Sequence, residues 1–163
     1  MKKILIVNSY YYKDISNNLV FSAKKRLWEV KFNLSIVNIP GAFEIPITIR
    51  KNINKFDGFI ALGCVIKGQT PHFDLLCSSL FNSILSLSIK YNKPIGNGVI
   101  TALNLNQAKQ RSKKTKSNKP NKGSEAANAV ISILKNGNDC ISSFRPFIWF
   151  IRFCFFTSLL SLV

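Results

Sequence analysis

Apolar residues follow two rhythms along this chain. Short, nearly unbroken runs occupy residues 3–8 (KILIVN), 34–39 (LSIVNI), 58–66 (GFIALGCVI) and 95–103 (IGNGVITAL). Runs of that length suit strands, the most apolar of them buried on both faces. Between them, apolar positions return every three or four residues, the period of an amphipathic helix. Ile15, Leu19, Ala23, Leu27 and Val30 mark one helix over 15–30, with Asp14 or Ser16 as its cap. A second begins near Phe43, with Pro46 tolerated in its first turn. A third runs from Pro71 to near Asn92 with Phe73, Leu76, Cys77, Leu80, Phe81, Ile84 and Leu87 on one side. A short helix over 105–111 and a last one over 124–135, closed by KNGND, complete the pattern. Strand and helix alternate four times, which predicts an α/β fold with a four-stranded parallel sheet covered by helices on both faces. In such sheets ligands bind beyond the carboxyl ends of the strands. The polar and aromatic clusters NSYYYKD, IPGAFE, KGQTPH and TALN fall at those ends.

Composition narrows the class. The 163 residues suit one domain, and 47% hydrophobic with 18% charged residues is a globular balance. The net charge of +16 comes mostly from lysine, which with abundant Asn and Ile suggests biased base composition; what remains favours an anionic partner. Cysteines stand at 64, 77, 140 and 154 with no CxxC pair, and one histidine cannot complete a zinc site, so no metal is expected. The cysteines read as reduced thiols of a cytoplasmic protein. After Lys2 and Lys3 the apolar core is only Ile4 to Val7, below the ~7–15 residues of a signal peptide's core, so the opening reads as a first strand.

Four stretches carry candidate chemistry. In residues 39–46, IPGAFEIP, Gly41 permits a tight turn, Phe43 heads a helix and Glu44 lies in its first turn. There the helix dipole favours a carboxylate by about 0.3–1 kcal/mol. A structural reading makes Phe43 a hydrophobic staple and Glu44 a surface charge; a functional one has Glu44 accept hydrogen bonds from ligand hydroxyls. Residues 63–74, GCVIKGQTPHFD, contain the only histidine. Backbone N–H groups at the start of the helix after Gly68 attract anions, phosphate in particular, with Gln69 and Thr70 lining the nest. No GxxxxGK[ST] occurs, which argues against a nucleoside triphosphate. His72 sits beside this nest as a proton-transfer group or as a structural residue at a helix start. The three rings of NSYYYKD suit stacking on a planar ligand, or packing. Residues 109–122 hold seven basic residues and no acid, a solvated loop or a nucleic-acid patch, yet lack interleaved aromatics. Arg111, at the end of a helix, is placed to clamp a phosphate.

Taken together and in order, PGAFEIP, ALGCVIKGQTPHFD, PIGNGVIT and NKGSEAA resemble the lumazine synthase family of riboflavin biosynthesis, over residues 3 to about 138. The resemblance implies a flavodoxin-like three-layer sandwich. It implies condensation of 5-amino-6-(D-ribitylamino)uracil with 3,4-dihydroxy-2-butanone 4-phosphate, without cofactor or metal. It also implies a homo-oligomer, a pentamer or a 60-subunit shell, whose sites are shared between neighbours. Carried over, Tyr11 stacks on the pyrimidine. Ala42, Phe43 and Glu44 hold the ribityl chain. Cys64, Val65 and Ile66 form the segment whose backbone reads the uracil edge. Gln69 and Thr70 form the phosphate nest, and His72 transfers protons. Asn97, Arg111 and Lys122 come from the adjacent chain, Arg111 onto the phosphate. The sequence departs from the family at Gln69, where Glu or Ala is frequent, at Asn97, where many members carry an aromatic ring, and in the longer, more basic loop before Asn121.

The expected organisation is an α/β domain over 1–140 and an apolar tail over 141–163. In RPFIWFIRFCFFTSLLSLV (145–163), the only charges are Arg145 and Arg152. It is slightly short of the ~20 apolar residues of a membrane span, leaving an interfacial anchor as one reading. The favoured one is a non-functional extension, such as read-through past a disrupted stop. The rival to the enzyme is a catalytically weak relative that binds flavin-like rings or RNA; no nucleic-acid partner is expected.

Overall fold

Residues 4–9 and 58–65 are buried without a break, so the first and third strands must be central. The computed structural model describes residues 1–113 and 121–142. Its strands are β1 (Lys3–Ser9), β2 (Asn33–Ile39), β3 (Gly58–Ile66) and β4 (Ile95–Ala102), all parallel in the order β2-β1-β3-β4. The helices are α1 (Lys13–Trp28), α2 (Ile45–Asn52), α3 (His72–Tyr91), α4 (Leu105–Ser112) and α5 (Lys122–Ser142). Alternation along the strands sorts the core into two layers. Ile4, Ile6, Ile60, Leu62 and Ile100 pack under Leu19, Leu27, Ala108, Ala127 and Val130 of α1, α4 and α5. Leu5, Val7, Phe59, Ala61 and Val99 pack under Ile45, Ile49, Leu80 and Ile84 of α2 and α3. This is the expected three-layer α/β sandwich. β2 and β4 are its edges, and β2 is mostly exposed.

Local chemistry fixes the element ends. Asn104 caps α4 by accepting from Gln107 N at 3.0 Å, while Gln107 Oε1 accepts from Leu103 N at 2.9 Å, a reciprocal cap of about 1 kcal/mol. α3 stops at Asn92 in the left-handed region (φ 48°), with Pro94 beyond it.

Several expectations about ends need correction. α1 begins at Lys13, and neither Asp14 nor Ser16 caps it; the buried Ser16 hydroxyl instead donates to Ser9 O. α2 begins at Ile45, which leaves Phe43 in the preceding turn and Glu44 at the N-cap without a side-chain cap bond. α5 starts at Lys122 and runs past Gly137, because a glycine within a helix costs only about 1 kcal/mol. Most of the basic loop (114–120) and the tail from residue 143 lie outside the described residues.

Candidate active site

The chain leaves β1 toward β2 on one side and returns to β3 on the other. The sheet's switch point therefore lies between β1 and β3, where open α/β sheets bind ligands. Pairing of β1 with β3 ends at Asn8–Leu62, so the last four residues of β3 have β4 on one side and no strand on the other. Backbone N–H and C=O groups at this end can read the edge of a flat heterocycle.

A cleft of about 380 Å³ opens here. It brings together Tyr11, Ala42, Phe43, Glu44, Cys64, Val65, Ile66 and His72 from four separate segments. Tyr11 is 72% exposed and stands edge-on to Tyr12, ring centroids 5.0 Å apart. Phe43 is 71% exposed, so it is no buried staple. Glu44 Oε2 is buried with no hydrogen-bond partner. A buried carboxylate oxygen left unpaired costs free energy, so the site is ready to take a hydroxyl donor. Gly41 holds no left-handed φ; its role is space, since a Cβ there would stand 2.8 Å from Glu44 Oε2. Burial pushes the Cys64 thiol up to about 11, so it stays protonated and inert as a nucleophile at neutral pH. Burial, helped by Tyr11 and Cys64, also raises the Tyr12 phenol.

His72 is the first residue of α3 and is exposed at the cleft. The charges flanking it pair with one another, Lys67 Nζ lying 3.5 Å from Asp74 Oδ2. Gln69 and Thr70 are exposed in the turn before α3 but do not line the cleft. A Cβ on Gly68 would meet nothing within 4 Å, so space beside this turn is open. Asn97, Arg111 and Lys122 are also outside this chain's cleft. Asn97 Oδ1 accepts from Val99 N at 3.1 Å. Arg111 Nη1 donates to Thr101 O at 3.0 Å and borders a separate polar hollow with Asn104, Gln107 and Gln110. Lys122 pairs with Glu125 at 2.6 Å.

The cleft has lining residues that the sequence reading did not assign to it: Ser9, Tyr12, Gly41 and Leu76. Ser9 had a legible signal. It continues the Leu5, Val7 face of β1, and a polar residue ending such a face marks where the core gives way to a site.

A profile described as 6,7-dimethyl-8-ribityllumazine synthase matches residues 1–137. Curated proteins of that same name are similar. One from Campylobacter curvus is 38% identical over 116 residues, 68% of this chain and 74% of the relative. One from Bartonella tribocorum is 35% identical over 113 residues, 68% and 75% of the two chains. One from Ruthia magnifica is 34% identical over 120 residues, 68% and 72%.

Proposed function

This chain belongs to the 6,7-dimethyl-8-ribityllumazine synthase family, and from that premise we propose how its cleft performs the reaction. The chain is a transferase of riboflavin biosynthesis. It condenses 5-amino-6-(D-ribitylamino)uracil with 3,4-dihydroxy-2-butanone 4-phosphate, releasing phosphate and water. The observation that carries the reading is the convergence of Tyr11, Glu44 and His72 on one cleft at the β1–β3 switch point, within the span that matches the family.

Tyr11 stacks on the pyrimidine, and the backbone of Cys64, Val65 and Ile66 reads its edge. Ala42, Phe43 and Glu44 take the ribityl chain, a hydroxyl of which donates to the unpaired Glu44 Oε2. Gln69, Thr70 and the start of α3 hold the phosphate. The uracil's 5-amino group attacks the ketone, and loss of water from the carbinolamine gives an imine. Elimination of phosphate and tautomerisation leave a carbonyl on the four-carbon unit; the ribitylamino nitrogen attacks it, and loss of a second water closes the ring. Each stage moves a proton, and His72 at the cleft's rim serves them in turn. Much of the acceleration comes from holding two reactants in register.

The site is completed by a second copy. Asn97, Arg111 and Lys122 do not reach their own chain's cleft, and Ile47, Leu75, Leu85 and Ile89 of α2 and α3 are exposed. An apolar helix face of that extent suits contact with a neighbouring copy in a pentamer or a 60-subunit shell. The buried free thiols of Cys64 and Cys77 suit the reducing cytoplasm.

Mixing both substrates with the full chain and following lumazine absorbance tests the reading, and absence of product sinks it. His72→Ala is expected to slow turnover by at most about 10²–10⁴-fold, leaving a measurable rate. Arg111→Ala is expected to raise KM for the phosphorylated substrate; an unchanged KM refutes its place on the phosphate.

A further inference from the structure

Arg111, expected to reach a neighbour's phosphate, and Lys122, expected to join the same shared site, flank the basic loop, and one buried side chain ties the ends of that loop together. Asn121 is 8% exposed. Its amide nitrogen donates to Ser112 O at 3.1 Å, Lys113 O at 3.4 Å and Ser22 Oγ at 2.8 Å. Its amide oxygen accepts from Gly123 N and Ser124 N, both at 3.1 Å. The oxygen thus caps α5, while the nitrogen clips the end of α4 to the start of α5 and to α1. Arg111 immediately precedes the clipped Ser112, and Lys122 immediately follows Asn121.

We propose that Asn121 is a positioning residue for phosphate recognition: it holds Arg111 and Lys122 in one fixed relation as they are presented to the adjoining copy. A helix cap needs only the amide oxygen. The nitrogen's bonds to the last carbonyls of α4 do nothing for the cap; they fix where α4 ends, and with it the base of the Arg111 side chain. A guanidinium discriminates by paired, directional hydrogen bonds, so an unclipped α4 weakens its hold on an anion without removing its charge. The inference rests on the shared-site reading above.

Two substitutions separate the clip from the cap. Asn121→Asp and Asn121→Ser both keep a capping oxygen, and neither supplies the amide donor to Ser112 and Lys113. If one fails to fold, the other serves. In steady-state kinetics with each substrate varied, either variant is expected to raise KM for 3,4-dihydroxy-2-butanone 4-phosphate by about three- to tenfold, the loss of one or two hydrogen bonds. KM for the pyrimidine and kcat should stay within about twofold. On an Arg111→Ala background the same substitution should add little, because its effect runs through Arg111. Hydrogen exchange gives a readout independent of turnover: amides of α4 should exchange faster while the start of α5 stays protected. Equal rises in both KM values, full additivity with Arg111→Ala, or unchanged exchange in α4 would each overturn the proposal and leave the enzyme reading intact. A wild-type chain without turnover would remove the enzyme reading, and the proposal with it.

Discussion

At position 41 a side chain would stand 2.8 Å from Glu44 Oε2, so glycine there lets the carboxylate lie against the turn. The atom in the way is the end of a flexible side chain, and it can swing aside. Gly41→Ala is therefore expected to leave the melting temperature nearly unchanged while raising KM for the ribityl substrate by about tenfold, the scale of one displaced charge-assisted hydrogen bond. An unchanged KM would remove Glu44 from the ribityl subsite. The Cys64 thiol, held up at about 11, makes a second residue-scale prediction. Iodoacetamide labelling of its peptide in the native chain should be slow at pH 8 and accelerate only toward pH 11. Because the unfolded thiol ionises from about 9 and the folded one does not, stability should decline across pH 9–11. Faster native labelling near pH 8 would contradict the burial. At this scale the sequence revealed types better than distances. Tyr11, Glu44 and His72 could be singled out by residue type and by their place after strands. That Glu44 keeps an unpaired oxygen, or that Gly41 serves it by space and not by φ, depends on contacts that no local pattern encodes.

At the scale of elements, α5 approaches α1 closely enough that a Cβ on Gly123 would lie 2.2 Å from Leu19 O, a backbone atom that cannot swing away. Alanine is the better helix former by about 1 kcal/mol, but the clash outweighs it. Gly123→Ala should destabilise the chain by about 1–3 kcal/mol, read as a lower urea midpoint. Gly68→Ala, where a Cβ meets nothing, is the control and should shift the midpoint little. A Gly123 variant as stable as the control would mean that the helices slide apart at no cost. The order and type of the nine elements among the described residues were legible because burial on both faces makes short apolar runs of strands and burial on one face gives helices a period of 3.6. The ends were less so. The start of α1, where Ser16 spends its hydroxyl on Ser9 O, and the length of α5 are decided by tertiary bonds and by small helix costs.

At the scale of the whole molecule, α3 is 20 residues long and has a mean hydropathy of 1.2, enough to cross a membrane by length and composition. Its inner side packs on the sheet with Cys77, Leu80 and Ile84, while Leu75, Leu85 and Ile89 face outward, Ile89 at 73% exposure. On the proposal that copies share the site, replacing Leu85 and Ile89 together by Asp should yield monomers near 18.4 kDa with native circular dichroism and little turnover. An assembly of unchanged mass in sedimentation would show that copies meet elsewhere. The parallel sheet also has a temporal consequence. Residues of α1 rest on the sheet and on Ala126, Ala127 and Val130, and Arg26 Nε donates to Asn128 at 2.6 Å, so part of the first helix's packing waits for α5. During synthesis at about 5–20 residues per second, the side of α1 that faces α5 stays uncovered for several seconds until Ile131 has been made. A chaperone that shelters this side of α1 over that interval is expected to raise the fraction of newly made chains recovered folded.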